Sequence, residues 1–171
     1  LSRIYNKVMT AKDGIEGAMM AEAENPDIIV SDVMMPRMSG TDMCRRIKEN
    51  IETSHIPIIL LTAWSTDEGR AAGYKAGADA YIAKPFDMEV LLARISNLLE
   101  KQEKRQRDFS HSISLDPKTV TDSSPDEKFL KEIIACIEKN IDNSEYTIDS
   151  LAADVVMSRM SLYRKMKSLT G

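Results

Sequence analysis

The apolar positions of the first hundred residues follow two alternating periods. Short, nearly continuous apolar runs predict strands at Lys7–Ala11 ("KVMTA"), Asp27–Ser31, Ile56–Thr62 ("IPIILLT") and Ala80–Ala83. Between them the spacing becomes helical, over about 14–24, 40–50 and 67–75, and again from Asp87, where Val90, Leu91, Ile95, Leu98 and Leu99 recur on one face. Asp13 followed by Glu16 predicts the start of the first of these helices, and Pro26 its end. Strand–helix alternation with apolar runs such as "IIV" and "IPIILL" predicts a parallel sheet buried on both faces.

The pattern changes after Glu100. "EKQEKRQRD" is wholly polar and prolongs the last helix, and "SHSISLDPKTVTDSSP" has no apolar period, as expected of a linker. Ser124, Pro125 and Glu127 then form a helix start. Phe129, Leu130, Ile133, Ile134, Ile137 and Ile141 are expected to stripe that helix. Two shorter helices follow, capped by Thr147 and Ser158: Leu151, Ala152 and Val155 form the apolar side of the first, and Leu162, Met166 and Leu169 recur along the second. The expected divisions are 1–100, 101–124 and 125–171.

Composition narrows the class. The 171 residues are 43% hydrophobic and 29% charged with a net charge of −4, so any nucleic-acid surface must be a local patch. Cys44 and Cys136 stand far apart, without the spacing of a zinc site, which predicts free thiols in a reducing, cytoplasmic setting. No apolar run reaches the roughly 18 residues that a membrane span requires.

Three predicted strands end in polar groups: Asp32, Thr62 and Lys84. In parallel α/β sheets, function gathers at the carboxyl ends of the strands, and these three side chains would converge there. A carboxylate, a hydroxyl and an ammonium suit phosphoryl transfer: Asp32 attacks phosphorus, while Thr62 and Lys84 hold the oxygens on which charge accumulates. Such a site needs Mg²⁺, which prefers oxygen ligands.

"PDIIVSDVMMPRMSG", "IPIILLTA" and "GADAYIAKPF" resemble the receiver domain of bacterial response regulators. That resemblance implies a flavodoxin-like, doubly wound parallel sheet of the α/β class. It makes Asp32 the phosphoacceptor and metal ligand, the Met34 backbone carbonyl a second Mg²⁺ ligand, Thr62 the switch hydroxyl, Lys84 the phosphate-binding lysine and Tyr81 the switch aromatic. It also implies a cis bond at Lys84-Pro85 and a partner histidine kinase, in the same or a separate chain. The family's first strand, which ends in an acidic pair, is missing before Lys7, so that weak Mg²⁺ binding is expected of the chain as given.

The segment Tyr146–Gly171 resembles the first helix-turn-helix of AraC-type transcription factors, "LA…MS…LYRK.K..TG" being close to that family's pattern. The resemblance places Arg159, Met160 and Arg164 toward DNA. Lys165 and Lys167 complete a cationic face suited to phosphates. Val156 departs from the family pattern, which often has glycine in this turn, and would be strained if the position requires positive φ. A second such motif is expected after Gly171. The expected protein is thus a two-component transcriptional regulator joining a receiver to a small all-α helix-turn-helix unit, homodimeric when active, in the manner of hybrid histidine kinases. A Mg²⁺-dependent phosphotransferase or phosphatase using Asp32 as nucleophile is the competing expectation. It is disfavoured by Met34, where such enzymes commonly carry a second acid.

Overall fold

The computed structural model describes residues 5–63, 76–111 and 125–170, the side chains of 108–111 excepted. It divides into two compact units, residues 1–99 and 100–171. In the first, helix α1 (Gly14–Glu24) precedes strand β1 (Ile29–Asp32), helix α2 (Gly40–Glu49), strands β2 (Ile58–Thr62) and β3 (Ala80–Ala83), and helix α3 (Met88–His111). The unit boundary falls inside α3. The helix expected over 67–75 lies outside the described residues.

The strands form a parallel sheet in the order β1-β2-β3. Alternation along β2 sorts its side chains to opposite faces. Ile58 and Leu60 join Ala18, Ala21, Cys44 and Ile47 of α1 and α2, whereas Ile59 joins Ile82, Leu91 and Ile95 on the α3 side. Both faces are covered, as a parallel sheet requires. Cys44 is fully buried, its thiol donating to the Ala76 carbonyl at 3.3 Å. Burial raises its pKa to about 11.

Two expectations for this unit change. Lys7–Ala11 is irregular and is not part of the three-stranded sheet, and Val8 is 42% exposed. A strand needs a ladder partner for its amides and carbonyls, and among the described residues none pairs with this segment. Asp13 does more than start α1: one carboxylate oxygen caps Ile15 and Glu16, and the other accepts from Arg37 across 24 residues of sequence.

The second unit contains α4 (Pro125–Lys139), α5 (Ile148–Asp154) and α6 (Arg159–Thr170). Phe129, Ile133, Ala152 and Leu162 form its core, with Leu151, Val155, Met157, Met166 and Leu169 packed around them. Thr147 and Ser158 cap α5 and α6 as expected, each accepting from the backbone amide three residues on. The expected stripe on α4 is shorter than its sequence pattern. Ile137 is 45% exposed, and Ile141, at 74%, lies beyond the helix end.

Lys165 is a larger correction. It is completely buried, its Nζ donating to Asp126 Oδ1 at 2.6 Å in the first turn of α4, so it is not part of an exposed cationic face. The cause is its spacing: residue 165 lies on the inward stripe with Leu162, Met166 and Leu169. Removing one partner of such a buried pair strands the other charge.

The end of α5 explains the valine. The Val156 amide donates to Ala153 and the Met157 amide to Ala152, a closing pair of bonds that places the residue between them in the left-handed region. Val156 has φ 56° and is 90% exposed. A β-branched residue is strained there and gains no packing in return. Val156→Gly should therefore stabilise the helical unit by about 1 kcal/mol, measured by denaturant unfolding followed through helical signal. An unchanged or lower midpoint would contradict the strain.

Candidate functional site

The register of the sheet sets the site. Asp32 ends β1 opposite Leu61, and Thr62 ends β2 opposite Ala83, the last residue of β3 before Lys84. Backbone bonds tie these ends together: Val33 N–H to Leu61 O at 2.9 Å and Lys84 N–H to Thr62 O at 2.7 Å. Asp32, Thr62 and Lys84 therefore stand on one rim of the sheet, at the carboxyl ends of adjacent strands.

Lys84 Nζ reaches across β2 to pair with Asp32 Oδ2. The other carboxylate oxygen, Oδ1, accepts the Met34 backbone amide at 3.1 Å. Burial pushes the Asp32 carboxyl upward, but the Lys84 ammonium and the Met34 amide outweigh it and hold the carboxyl below its usual range. Asp32 and Lys84 are each more than one-third exposed, so an incoming group can reach them. Thr62 is 6% exposed, and Tyr81 packs, partly buried, against the cluster beneath α1 and α2. The Lys84-Pro85 bond is cis.

Gly40 went unnoticed in the sequence as a site residue. At the start of α2, a Cβ there would lie 2.0 Å from the Asp32 carbonyl oxygen. Its amide donates to Val33 O at 3.0 Å, closing the loop that leaves Asp32. Ser31 Oγ also donates to the Asp32 carbonyl, at 2.9 Å. Only the residue type of Gly40 hints at this role, and the hint is weak, because glycine at a helix start is common.

Among the described residues no cluster of three or more His, Cys, Asp or Glu side chains could hold a metal. The donors at hand are the Asp32 carboxylate and backbone carbonyls of the following loop, hard oxygen ligands of the kind Mg²⁺ takes, with water completing its shell. No described helix is long and apolar enough to cross a membrane.

On α6 the expected positions separate. Arg159, Met160, Arg164 and Lys167 are exposed, and Arg159 lies 3.5 Å from Asp149 Oδ2 on α5. Lys165 alone of the expected set turns inward.

The family model of the response regulator receiver domain matches residues 2–96. A protein named Histidine kinase P4 from Formosa agariphila is 37% identical over all 171 residues, which span 12% of that protein. The DNA-binding dual master transcriptional regulator RpaA of Synechocystis is 36% identical over 67% of the chain and 47% of its own length. Among solved structures, the receiver domain of a Pseudomonas aeruginosa sensor histidine kinase, with magnesium coordinated in its active-site cleft, superposes with a TM-score of 0.52 at 30% identity. It covers 55% of this chain and 77% of that one. The chain thus spans less than half of each of these two curated relatives.

Two outcomes test the site. Gly40→Ala should destabilise the first unit by roughly 1–3 kcal/mol, because the added methyl meets backbone and not a movable side chain. A carbon-detected NMR titration should place the Asp32 midpoint below its ordinary value of 3.8 and find it raised in Lys84→Met. A carboxyl depressed in the folded state stabilises above its unfolded pKa, and that contribution fades as pH falls through the lower, folded value.

Proposed function

Because the chain belongs to the response regulator receiver family over residues 2–96, with its flavodoxin-like parallel sheet, we infer that Asp32 is its phosphoacceptor. The observation that carries this reading is the Lys84–Asp32 ion pair at converging strand ends. In the transfer, an Asp32 carboxylate oxygen attacks the phosphorus of a phosphohistidine on a histidine kinase. A P–O bond forms, the P–N bond breaks, and the leaving imidazole keeps the electron pair and takes a proton from water. Lys84 is already positioned to neutralise the equatorial oxygens, and Thr62, at the end of the neighbouring strand, supplies a hydroxyl to the same group. Receiver domains bind Mg²⁺ in the active site. In this chain the Asp32 carboxylate and the Met34 backbone carbonyl would hold it, and its chemistry there is charge neutralisation of the transferring group.

The second unit is read as the first helix-turn-helix of an AraC-type DNA-binding domain. Its support is local: α5 and α6 are joined by the four residues 155–158, and Met160, Arg164 and Lys167 share an exposed face of α6. The printed name of one relative, a DNA-binding transcriptional regulator, favours the same reading. The match of all 171 residues to 12% of a protein named a histidine kinase favours a hybrid protein in which receiver and DNA-binding unit follow a kinase in one cytoplasmic chain. Phosphorylation would then shift Thr62 and Tyr81 inward and favour a homodimer on DNA.

Incubation with acetyl phosphate and Mg²⁺ of the chain extended to restore the acidic pair expected before Lys7 should add one phosphoryl group by intact mass, and Asp32→Asn should abolish it. Labelling elsewhere, or multiple turnover of phosphate esters, would refute the switch in favour of a phosphotransferase or phosphatase. For the second unit, Lys167→Ala should lower affinity for duplex DNA and reduce the salt slope by about one. An unchanged slope would remove α6 from the interface.

A further inference from the structure

The loop that follows Asp32 is held from outside itself. Met34 donates its amide to Asp32, and three residues later Arg37 takes a left-handed backbone, φ 61°, that a long side chain rarely adopts. Its guanidinium turns to Asp13, donating from Nε at 2.7 Å and also from a terminal nitrogen, both to Oδ2. Asp13 is 2% exposed, and its remaining oxygen, Oδ1, is committed to the amides of Ile15 and Glu16. Beside this pair Gly14 donates to Met38 O at 3.2 Å, and a Cβ on Gly14 would lie 2.5 Å from that oxygen. The start of α1 and the loop 33–39 thus meet in a two-pronged clasp, one prong ionic and one backbone.

We propose that Asp13 is a positioning residue for Asp32: by holding Arg37 in its left-handed conformation, it fixes the loop that presents the Met34 amide to the nucleophile. Neither Asp13 nor Arg37 bonds Asp32 in the structure. Their effect passes through residues 34–37 to the Met34 amide that bonds Asp32 Oδ1, while the Gly40 amide ties the end of the loop to the Val33 carbonyl. A carboxylate that merely capped α1 would need only Oδ1. The convergence of two guanidinium N–H groups on Oδ2 adds a fixed direction as well as charge.

Two substitutions separate capping from positioning. Asp13→Asn keeps an oxygen for the amides of Ile15 and Glu16 but loses the charge that Arg37 engages. Arg37→Gly permits the same backbone conformation at no steric cost while removing the guanidinium. In the full chain, both should expose the Met34 amide to faster hydrogen exchange. The labelling rate, a readout that rests on the phosphoacceptor reading, should fall by roughly tenfold. The double variant should be no worse than the more affected single one, since both remove the same contact. Unaltered Met34 exchange in Arg37→Gly, which relieves strain and is expected to fold, would overturn the proposal, as would additive effects. If the unsubstituted chain with its acidic pair restored takes no label on Asp32, the phosphoacceptor reading fails. Amide exchange at Met34 still decides the clasp.

Discussion

The site depends on the parallel register of three short strands. Asp32, Thr62 and Lys84 are 52 residues apart at their extremes, and nothing local brings them together. What does so is the pairing of Asp32 with Leu61 and of Thr62 with Ala83, which sets three strand ends on one rim. A slip of one residue would turn each side chain to the opposite face of the sheet. Register in turn is tied to burial: the alternating side chains of β2 fill two different clusters, one on each face of the sheet. The ion pair itself adds little to stability, because both partners are substantially exposed and such pairs contribute about 0–1 kcal/mol. Its value is chemical: it keeps an ionised oxygen nucleophile beside a cation.

Much of this was legible in the sequence, for physical reasons that can be named. Periodicity identified α1, α2, the three strands and the start of α3 to within a residue or two, because each helix buries one face against the sheet and the strands are covered on both faces. The same rule misjudged Lys7–Ala11. Apolar character makes a segment suitable for a ladder, but a ladder also needs a neighbour, and sequence pattern is silent about neighbours. The Asp13–Arg37 clasp was hidden for a related reason. Asp13 already had a sufficient local explanation as a cap, and its second partner lies two elements away. Gly40 was missed because its constraint is an absence of atoms beside Asp32, which no spacing rule detects.

The helical unit repeats the lesson with different chemistry. Val156 could be questioned from sequence alone, since valine sits badly in a left-handed turn, and that is the conformation it adopts. Lys165 was misread because charge was allowed to outweigh position. Four cations in one short helix suggest a single face, yet helical geometry divides them, leaving three outside and sending one into the core. The inward lysine meets an aspartate in the first turn of α4, where an acid is also favoured by the helix dipole. The polar group that would otherwise penalise the core is therefore paired across the contact of α6 with α4.

Each unit also carries one sulfhydryl, and the two differ in kind. Cys44, sealed beneath α2 with its proton given to a carbonyl, has almost no thiolate to offer at neutral pH, and an alkylating reagent meets it only when the surrounding layers part. Cys136 is partly accessible on α4. The molecule therefore contains its own clock: the lag between modification of the two sulfurs measures how often the sheet-bearing half breathes open.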